Sequence, residues 1–302
     1  MKRPPVIIIL FCLYMTLPVM TTAQYYYHNE KYYENDLVIE LGASAGIINA
    51  MTDLGGRKGT GKGFIKDLNL KTSKPSFGFY ILGMYKEAIG VRLEGSFGQV
   101  RAYDSILKNV APSTFGRYER NLSFRSSIRD FQLAVEVHPL FFRHYGENEA
   151  PYWSPYAIAG IGYFSFNPEA ELNGRWHALQ PLRTEGQGFA EYPDRKPYKL
   201  SQINIPVGIG VRYEINSFLN ARLEVVHRFL MTDYLDDVSE TDFADPSLFY
   251  NYLSPAQAAV AEQLSNRSLP GSKVFQRGDP KDNDSFFTIQ LKIGATIQSS
   301  RR

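Results

Sequence analysis

The chain has 302 residues, a formal net charge of +2, 21% charged residues and 14% aromatics, with 20 Tyr and 20 Phe. That charge content is too low for a disordered polyelectrolyte, and the near-neutral balance offers no basic stripe for nucleic acid. The only cysteine is Cys12. It falls in the leader, so the mature chain has no disulfide and no Cys-ligated metal site.

Residues 1–23 read as a signal peptide. Lys2 and Arg3 precede the apolar run VIIILFCLYMTLPVM, and Thr21 and Ala23 place a cut before Gln24. Pro18 interrupts a run too short for an anchor, and Phe11 before Cys12 does not suit lipidation. Residues 24–36, QYYYHNEKYYEND, form a tyrosine-rich tail. Tyr favours membrane interfaces, so this tail is expected in the periplasm, along the barrel rim or on a periplasmic partner.

From residue 37 onward, period-two alternation recurs, the mark of a strand with two unlike faces. In Leu37–Ile48, Leu37, Ile39, Leu41, Ala43, Ala45 and Ile47 oppose Val38, Glu40, Gly42, Ser44 and Gly46. Phe77–Tyr85 is apolar on both faces, leaving its parity open. In Ala88–Gly98, Ile89, Val91, Leu93 and Phe97 oppose Arg92, Glu94 and Ser96. Arg129–His138 sets Phe131, Leu133, Val135 and Val137 against Asp130, Gln132, Glu136 and His138. Tyr156–Phe164 is again apolar on both sides. Gln202–Tyr213, Asn220–Phe229 and Phe287–Ile297 alternate cleanly, with Arg212, Arg222, Glu224 and Lys292 on their polar faces.

Strands of about ten residues suit a tilted bilayer crossing. The polar faces are small and mixed, mostly Gly and Ser with scattered Arg and Glu, which suits a cramped interior where charges pair. The connections alternate in length. Long ones cover about Asn49–Ser76, Ala102–Phe124, Asn167–Lys199 and Asp233–Ser285, against short ones near Lys86–Ala88 and Glu214–Phe218 and a medium one, HYGENEAPYW. Short inner turns and long outer loops mark outer-membrane barrels. The fold expected is an eight-stranded antiparallel transmembrane β-barrel over 37–298, both termini periplasmic, with long outer loops and a short helix in the last loop. A secreted sandwich or lipocalin-like barrel is the alternative. The helix falls in LSPAQAAVAEQLSNRS, with Ser254 as cap and Pro255 in its first turn. The aromatics of PSLFYNY before it are expected on the surface, available to a partner.

Candidate chemistry is sparse. GGRKGTGKG places Gly56, Gly61 and Lys62 as in a phosphate-binding loop, but Gly63 replaces the hydroxyl residue and strands are expected on both sides. No nucleotide, cofactor or metal is expected. His138 shares a polar face with Glu136, and His227 lies on an apolar face; neither has an evident nucleophile, so no catalytic residue is assigned. DYLDDVSETDFAD clusters Asp233, Asp236, Asp237, Asp242 and Asp245 without the spacing of a calcium loop. It reads as a solvated or loop-ordering acidic segment. Glu40, Arg92, Glu94, Asp130, Glu136, Arg212, Arg222, Glu224 and Lys292 are expected to point inward. Eight strands leave room only for side chains, so an ion-paired plug is favoured over an ion path.

Several stretches resemble a known family. KDLNLKTSKPSFGFY, IGVRLEGSFGQVRAYDS, RNLSFRSSIRDFQLAVEVHPLFF, PYAIAGIGYFSFNPEAEL, PLRTEGQG and DYLDDVS occur in the order seen in PorG-type outer-membrane barrels of Bacteroidota. The resemblance covers most of the chain after residue 36. It implies a component of the type IX protein secretion machinery, gliding-linked in some species. The barrel would join a periplasmic ring, built by a lipoprotein and its partner, to outer-membrane lipid. Asp67 and Asn69 match the first-loop motif. Arg120, Asn121, Ser123 and Arg125 match the second, and Gly186, Gly188, Asp233, Tyr234, Asp236 and Asp237 the later two. No chemistry attaches to these positions. The expectation is a non-enzymatic anchor or dock. The alternative is a binding or adhesin-type barrel whose outer loops recognise lipopolysaccharide, glycan or a host surface.

Overall fold

The computed structural model describes residues 37–56, 70–143, 145, 150–272, 274 and 276–297. The leader, the tyrosine-rich tail, most of GGRKGTGKG, Asp67 and Asn69 lie outside the described residues. The strands are β1 (Leu37–Met51), β2 (Lys74–Tyr85), β3 (Ile89–Tyr103), β4 (Ser123–Val137), β5 (Trp153–Ser165), β6 (Pro168–Leu172), β7 (Arg175–Ala178), β8 (Ser201–Glu214), β9 (Leu219–Leu230) and β10 (Ser285–Ile297). Three short α-helices are α1 (Phe115–Arg120), α2 (Pro246–Tyr252) and α3 (Pro255–Ser265).

Eight strands close on themselves. β1 to β5 pair in sequence, then β5 with β8, β8 with β9, β9 with β10, and β10 returns to β1, all antiparallel. Closure removes sheet edges, so every strand in lipid finds its backbone partners internally. Among the described residues no helix is long and apolar enough to cross a membrane; the crossing is made by strands. The β6–β7 hairpin, absent from the sequence reading, extends from β4 within the loop after β5.

One end of the barrel carries tight connections. Lys86 and Glu87 both take positive φ, 49° and 56°, and the Ala88 amide donates to the Tyr85 carbonyl at 3.1 Å. Two consecutive positive φ values make a type I′ hairpin, the turn whose twist matches its strands. At the β8–β9 turn, Asn216 Oδ1 accepts the amides of Phe218 and Leu219 at 2.9 and 2.8 Å. The four long connections all leave the other end, called here the loop end.

Along β3 and β4 the polarity of the two faces inverts. On β3, Val91, Leu93 and Phe97 point out and are exposed, while Arg92, Glu94 and Ser96 are buried inside. Past Phe97 the inward residues become apolar, Val100 and Ala102, and Gln99 and Arg101 take the outward positions. β4 repeats this with Phe124 and Ile128 inside and Ser127 and Arg129 outside. The change marks where lipid gives way to water. Below it the wall must be apolar and the lumen can hold paired charge; above it an ordinary soluble core returns. Outward aromatics flank the belt, with Phe97 and Phe131 edge to face at 6.1 Å on one side and Tyr85, Trp153 and Tyr213 exposed on the other, as interfacial girdles require.

The inversion explains the strand boundaries. Alternation in the sequence ended β3 near Gly98 and began β4 near Arg129, whereas the strands run to Tyr103 and from Ser123. The parity left open also resolves. Phe77, Phe79 and Ile81 of β2 and Ile161 and Tyr163 of β5 face out, while Tyr80, Leu82, Tyr156 and Ile158 face in. Leu93 sits midway along the belt. Leu93→Arg is expected to cost about 2–4 kcal/mol, and Ser127→Arg, beyond the belt, within about 0.5 kcal/mol. Denaturant unfolding of the bilayer-folded barrel measures both; equal costs would remove the assigned lipid belt.

Candidate functional site

Two polar assemblies stand out, one in the lumen and one at the loop end. The structure places all nine of the charged residues expected inward in the lumen, each buried. Arg92, fully buried, lies at the centre. Its Nη1 contacts Glu224 Oε2 at 2.7 Å and Glu136 Oε1 at 2.8 Å, and its Nε lies 3.1 Å from Glu94 Oε2. Lys292 Nζ bridges Glu94 at 2.6 Å and Glu224 at 2.9 Å. Arg222 joins Glu40 at 2.8 Å to Glu136 at 2.9 Å. Asp130 takes Arg228 at 2.9 Å and Asn204 at 2.8 Å, and Arg212 holds Glu87 at 2.7 Å.

Two tyrosines complete the network. Tyr80 donates to Glu40 at 2.5 Å, and Tyr156 to Glu224 at 2.8 Å. Lys292, Arg92 and Arg222 lie 5.4–5.9 Å from the Tyr80 ring centre, within cation–π range. Glycine makes room for these rings: a Cβ at Gly42 would fall within the Tyr80 ring, and one at Gly210 within that of Tyr156. Above the ions, Ile48, Val100, Phe124, Ile128, Phe164 and Phe286 pack the loop-end half of the interior. The lumen is a filled plug.

His138 has the nucleophile neighbour that sequence spacing did not reveal. Its Nδ1 lies 3.0 Å from Ser154 Oγ and its Nε2 3.2 Å from Glu136 Oε2, and the ring stacks on Tyr156 at 4.9 Å. Ser154 lies across the β4–β5 connection, out of reach of any local motif. All three side chains are buried, and Glu136 also binds Arg92 and Arg222. The trio is part of the plug. His227 shares the outward, apolar face with Val225 and Phe229, as the sequence predicts, and is buried edge to face with Phe229 at 4.4 Å.

At the loop end the described parts of the long connections fold into a cap. Ser254 caps α3 through the Gln257 amide, and Pro255 opens the helix, as the sequence predicts. The helix ends at Ser265, short of the predicted Ser268. α2 arises within PSLFYNY, and its aromatics are not all free: Phe249 is buried against Phe189 at 5.8 Å, and Tyr252 stacks on Phe189 at 4.1 Å. Of its aromatics, Tyr250 alone is exposed. Burying Phe249 and Tyr252 gives the hairpin of α2 and α3 a core of its own.

Motif residues converge in this cap. Arg120 Nε pairs with Asp104 at 2.8 Å, and its Nη1 donates to the Arg277 carbonyl. Asn121, at φ 55°, ends α1 in the left-handed region, and its side chain donates to the Arg267 carbonyl at 3.3 Å. Arg267 in turn donates to Ser123 Oγ at 3.3 Å. Arg125 pairs with Glu169 at 2.8 Å and lies 3.8 Å over Trp176. Gly186 and Gly188 adopt φ of 74° and 79°, where a side chain would be strained. Tyr234 stacks on Tyr198 at 4.6 Å.

Of the two readings of the acidic segment, solvated or loop-ordering, the structure favours the second: Asp245 caps α2 and Asp237 holds two other loop residues. Asp242 is exposed, but Asp233, Asp236 and Asp237 are buried. Asp237 accepts Tyr198 Oη at 2.6 Å and the Thr184 hydroxyl. Arg277, which no sequence pattern singled out, contacts Glu185, the Thr184 hydroxyl at 3.0 Å, the Asp237 carbonyl at 3.0 Å and the Ser265 carbonyl at 3.2 Å. Burial pushes the Glu185 carboxyl up to about 7 against the pull of Arg277.

No family model matches the sequence, nor does any curated protein. Structural similarity runs to small outer-membrane barrels. Neisserial surface protein A matches at TM-score 0.37 and 7% identity, over 87% of this chain and 98% of that one. OprG from Pseudomonas aeruginosa matches at 0.37 and 10%, over 87% and 97%. Outer membrane protein W of E. coli matches at 0.32 and 14%, over 85% and 97%. The assignment of a closed membrane barrel rests on the strand pairing and the lipid-facing belt described above.

Proposed function

We propose that the chain is a non-enzymatic outer-membrane barrel that anchors or docks a periplasmic ring complex of the type IX, gliding-linked secretion machinery. The observation that carries the anchoring role is the closed lumen. Charges fill its lipid-level half, apolar side chains fill the loop-end half, and the cap lies above. Work is therefore left to the rims and loops. In this reading the tight-turn end faces the periplasm. There Phe142, Tyr152, Trp153 and Phe218 are exposed and offer an aromatic edge beside the membrane. Support for the secretion system comes from the motif order RNLSFRS, PLRTEGQG and DYLDDVS, whose described residues build the cap.

The test combines deletion of the gene with affinity capture from crosslinked cells. Loss of type IX export together with recovery of a ring-forming periplasmic lipoprotein is expected. Unchanged export removes the secretion role. Recovery of surface ligands alone favours the second reading, recognition of lipopolysaccharide, glycan or a host surface by the folded cap, whose Trp176 and Tyr250 are exposed.

A further inference from the structure

The least compensated charges outside the lumen are four aspartates at the loop end. Asp53 follows β1, Asp233 and Asp236 follow β9, and Asp284 precedes β10. The segments meet where the Leu235 amide donates to Asp284, the Asp284 amide to the Thr232 carbonyl, and Asp53 and Val238 both lie against Gly278. Asp233 is 8% exposed, Asp236 1% and Asp284 3%. Both carboxylate oxygens of Asp233, and Oδ2 of Asp236, have no hydrogen-bond donor. The satisfied oxygens accept backbone amides only: Asp236 Oδ1 from Val238 at 2.9 Å, Asp284 Oδ2 from Leu235 at 2.8 Å and Asp53 Oδ2 from Asp279 at 2.6 Å.

Among the described residues Arg120 and Arg117 pull on Asp53, and Arg120 on Asp236, without outweighing burial. Arg120 spends its guanidinium on Asp104 and reaches Asp53 only at the backbone carbonyl, 2.7 Å away. Arg117 donates to the Gly55 carbonyl at 2.9 Å. Arg277 is engaged with Glu185, which itself adds negative charge, and Asp237 is held by Thr184 and Tyr198. Asp279 adds a further carboxylate beside Asp53. The hydroxyls of Ser239, near Asp233, and Thr52, near Asp236, favour the charged forms, but neither makes an aligned hydrogen bond to the orphaned oxygens. Among the described residues no ion pair joins the four aspartates to a cation, and no three His, Cys, Asp or Glu side chains stand at metal-ligand spacing. A buried carboxylate with no counter-charge discharges itself by taking a proton.

We propose that Asp53, Asp233, Asp236 and Asp284 form a proton-held clasp: their carboxyls are neutral in the closed cap, and losing those protons opens the loop end. Burial first, then the neighbouring carboxylates, push Asp233 up to about 9 and Asp236 and Asp284 well above the usual carboxylate range. Burial, outweighing Arg120, brings Asp53 to about 6. Groups raised in the folded state stabilise it fully below their unfolded values, near pH 4, and that stability is shed as pH climbs through the folded values. The clasp therefore weakens progressively from acid towards about pH 9, where Asp233 is half ionised.

Amide exchange of residues 52–56 and 231–241 in the full chain, folded in nanodiscs with EDTA, tests this. The opening constant, corrected for intrinsic exchange, is expected to rise up to about tenfold per pH unit for each proton lost. Asp233→Asn/Asp236→Asn should match the wild type at or below about pH 4 and stay more closed at about pH 9. The infrared carbonyl band of protonated carboxyl groups should be present in the wild type at neutral pH and weaker in the variant. This band is read on the wild type even if the variant fails to fold. A pH-independent opening constant, a missing band, or a variant that opens more at both pH values overturns the clasp. So does closure by added Ca2+ at fixed pH, which would assign the compensation to a cation.

Discussion

Replacing Arg92 with methionine is expected to destabilise the bilayer-folded barrel by about 3–5 kcal/mol, because it strips three buried carboxylates of their shared partner. Arg92 touches Glu94, Glu136 and Glu224 within 2.7–3.1 Å, and all four side chains are buried. Methionine fills similar volume, so the loss reports charge rather than a cavity. After the change, Lys292 still serves Glu94 and Glu224, and Arg222 still serves Glu136, which keeps the loss below total unfolding. Adding Glu224→Gln should return about 0.5–3 kcal/mol through coupling, since it removes one stranded charge. Denaturant unfolding followed by gel mobility reads both. Full stability of Arg92→Met would mean that the lumen network does not hold the barrel.

Arg277→Ala should open the cap while leaving the barrel wall intact. The side chain ties the β5–β8 connection, through Glu185 and Thr184, to the β9–β10 connection, through the Asp237 and Ser265 carbonyls. Its loss strands a buried carboxylate and several acceptors, at a local cost of about 3–5 kcal/mol. Amide exchange is expected to accelerate in residues 184–189 and 237–241 and to stay unchanged in β1 to β3. The pH dependence carries its own sign. Glu185 titrates at about 7 in the folded chain, above its unfolded value, so the protonated form is favoured in acid and needs no guanidinium. The defect relative to the wild type should therefore shrink near pH 5 and grow above pH 7. Equal defects at both pH values would show that Arg277 acts through its backbone contacts instead of Glu185.

The lipid-level half of the molecule was largely legible from residue pattern. Alternation located all eight barrel strands, and the polar face named Arg92, Glu94, Arg222 and Lys292 as interior residues. It stopped at Gly98 and resumed at Arg129 because the rule itself changes there: above the belt the inside becomes apolar and the outside polar. A reader looking for one parity loses the strand where the solvent changes. Tyr80 and Tyr156 escaped for a related reason. They sit on strands apolar on both faces, so nothing distinguished the ring that faces ions from the ring that faces lipid.

The cap was mostly illegible. DYLDDVS read as solvated or loop-ordering, and nothing in the segment chose between them; charge density usually means exposure, yet Asp236 and Asp237 are buried. Their burial depends on Thr184, Tyr198 and Arg277, which come from distant loops and share no periodicity with them. The β6–β7 hairpin and α2 were missed as well, since each is short and draws its stability from packing on neighbours.

A residue's side of the sheet follows from backbone geometry, since successive side chains on a strand point to opposite faces. For that reason the order of residues sufficed, on six of the eight barrel strands, to separate lipid-facing from lumen-facing positions and to call for closure. Partner choice is another matter. Glu40 meets Arg222 only because closure sets β1 and β9 on the two sides of β10, and Arg277 meets Glu185 only because two loops cross above the barrel. Such pairings depend on register, closure and loop path, which are properties of the assembled chain, and they settle which charges are matched and which aspartates are left without a counter-ion.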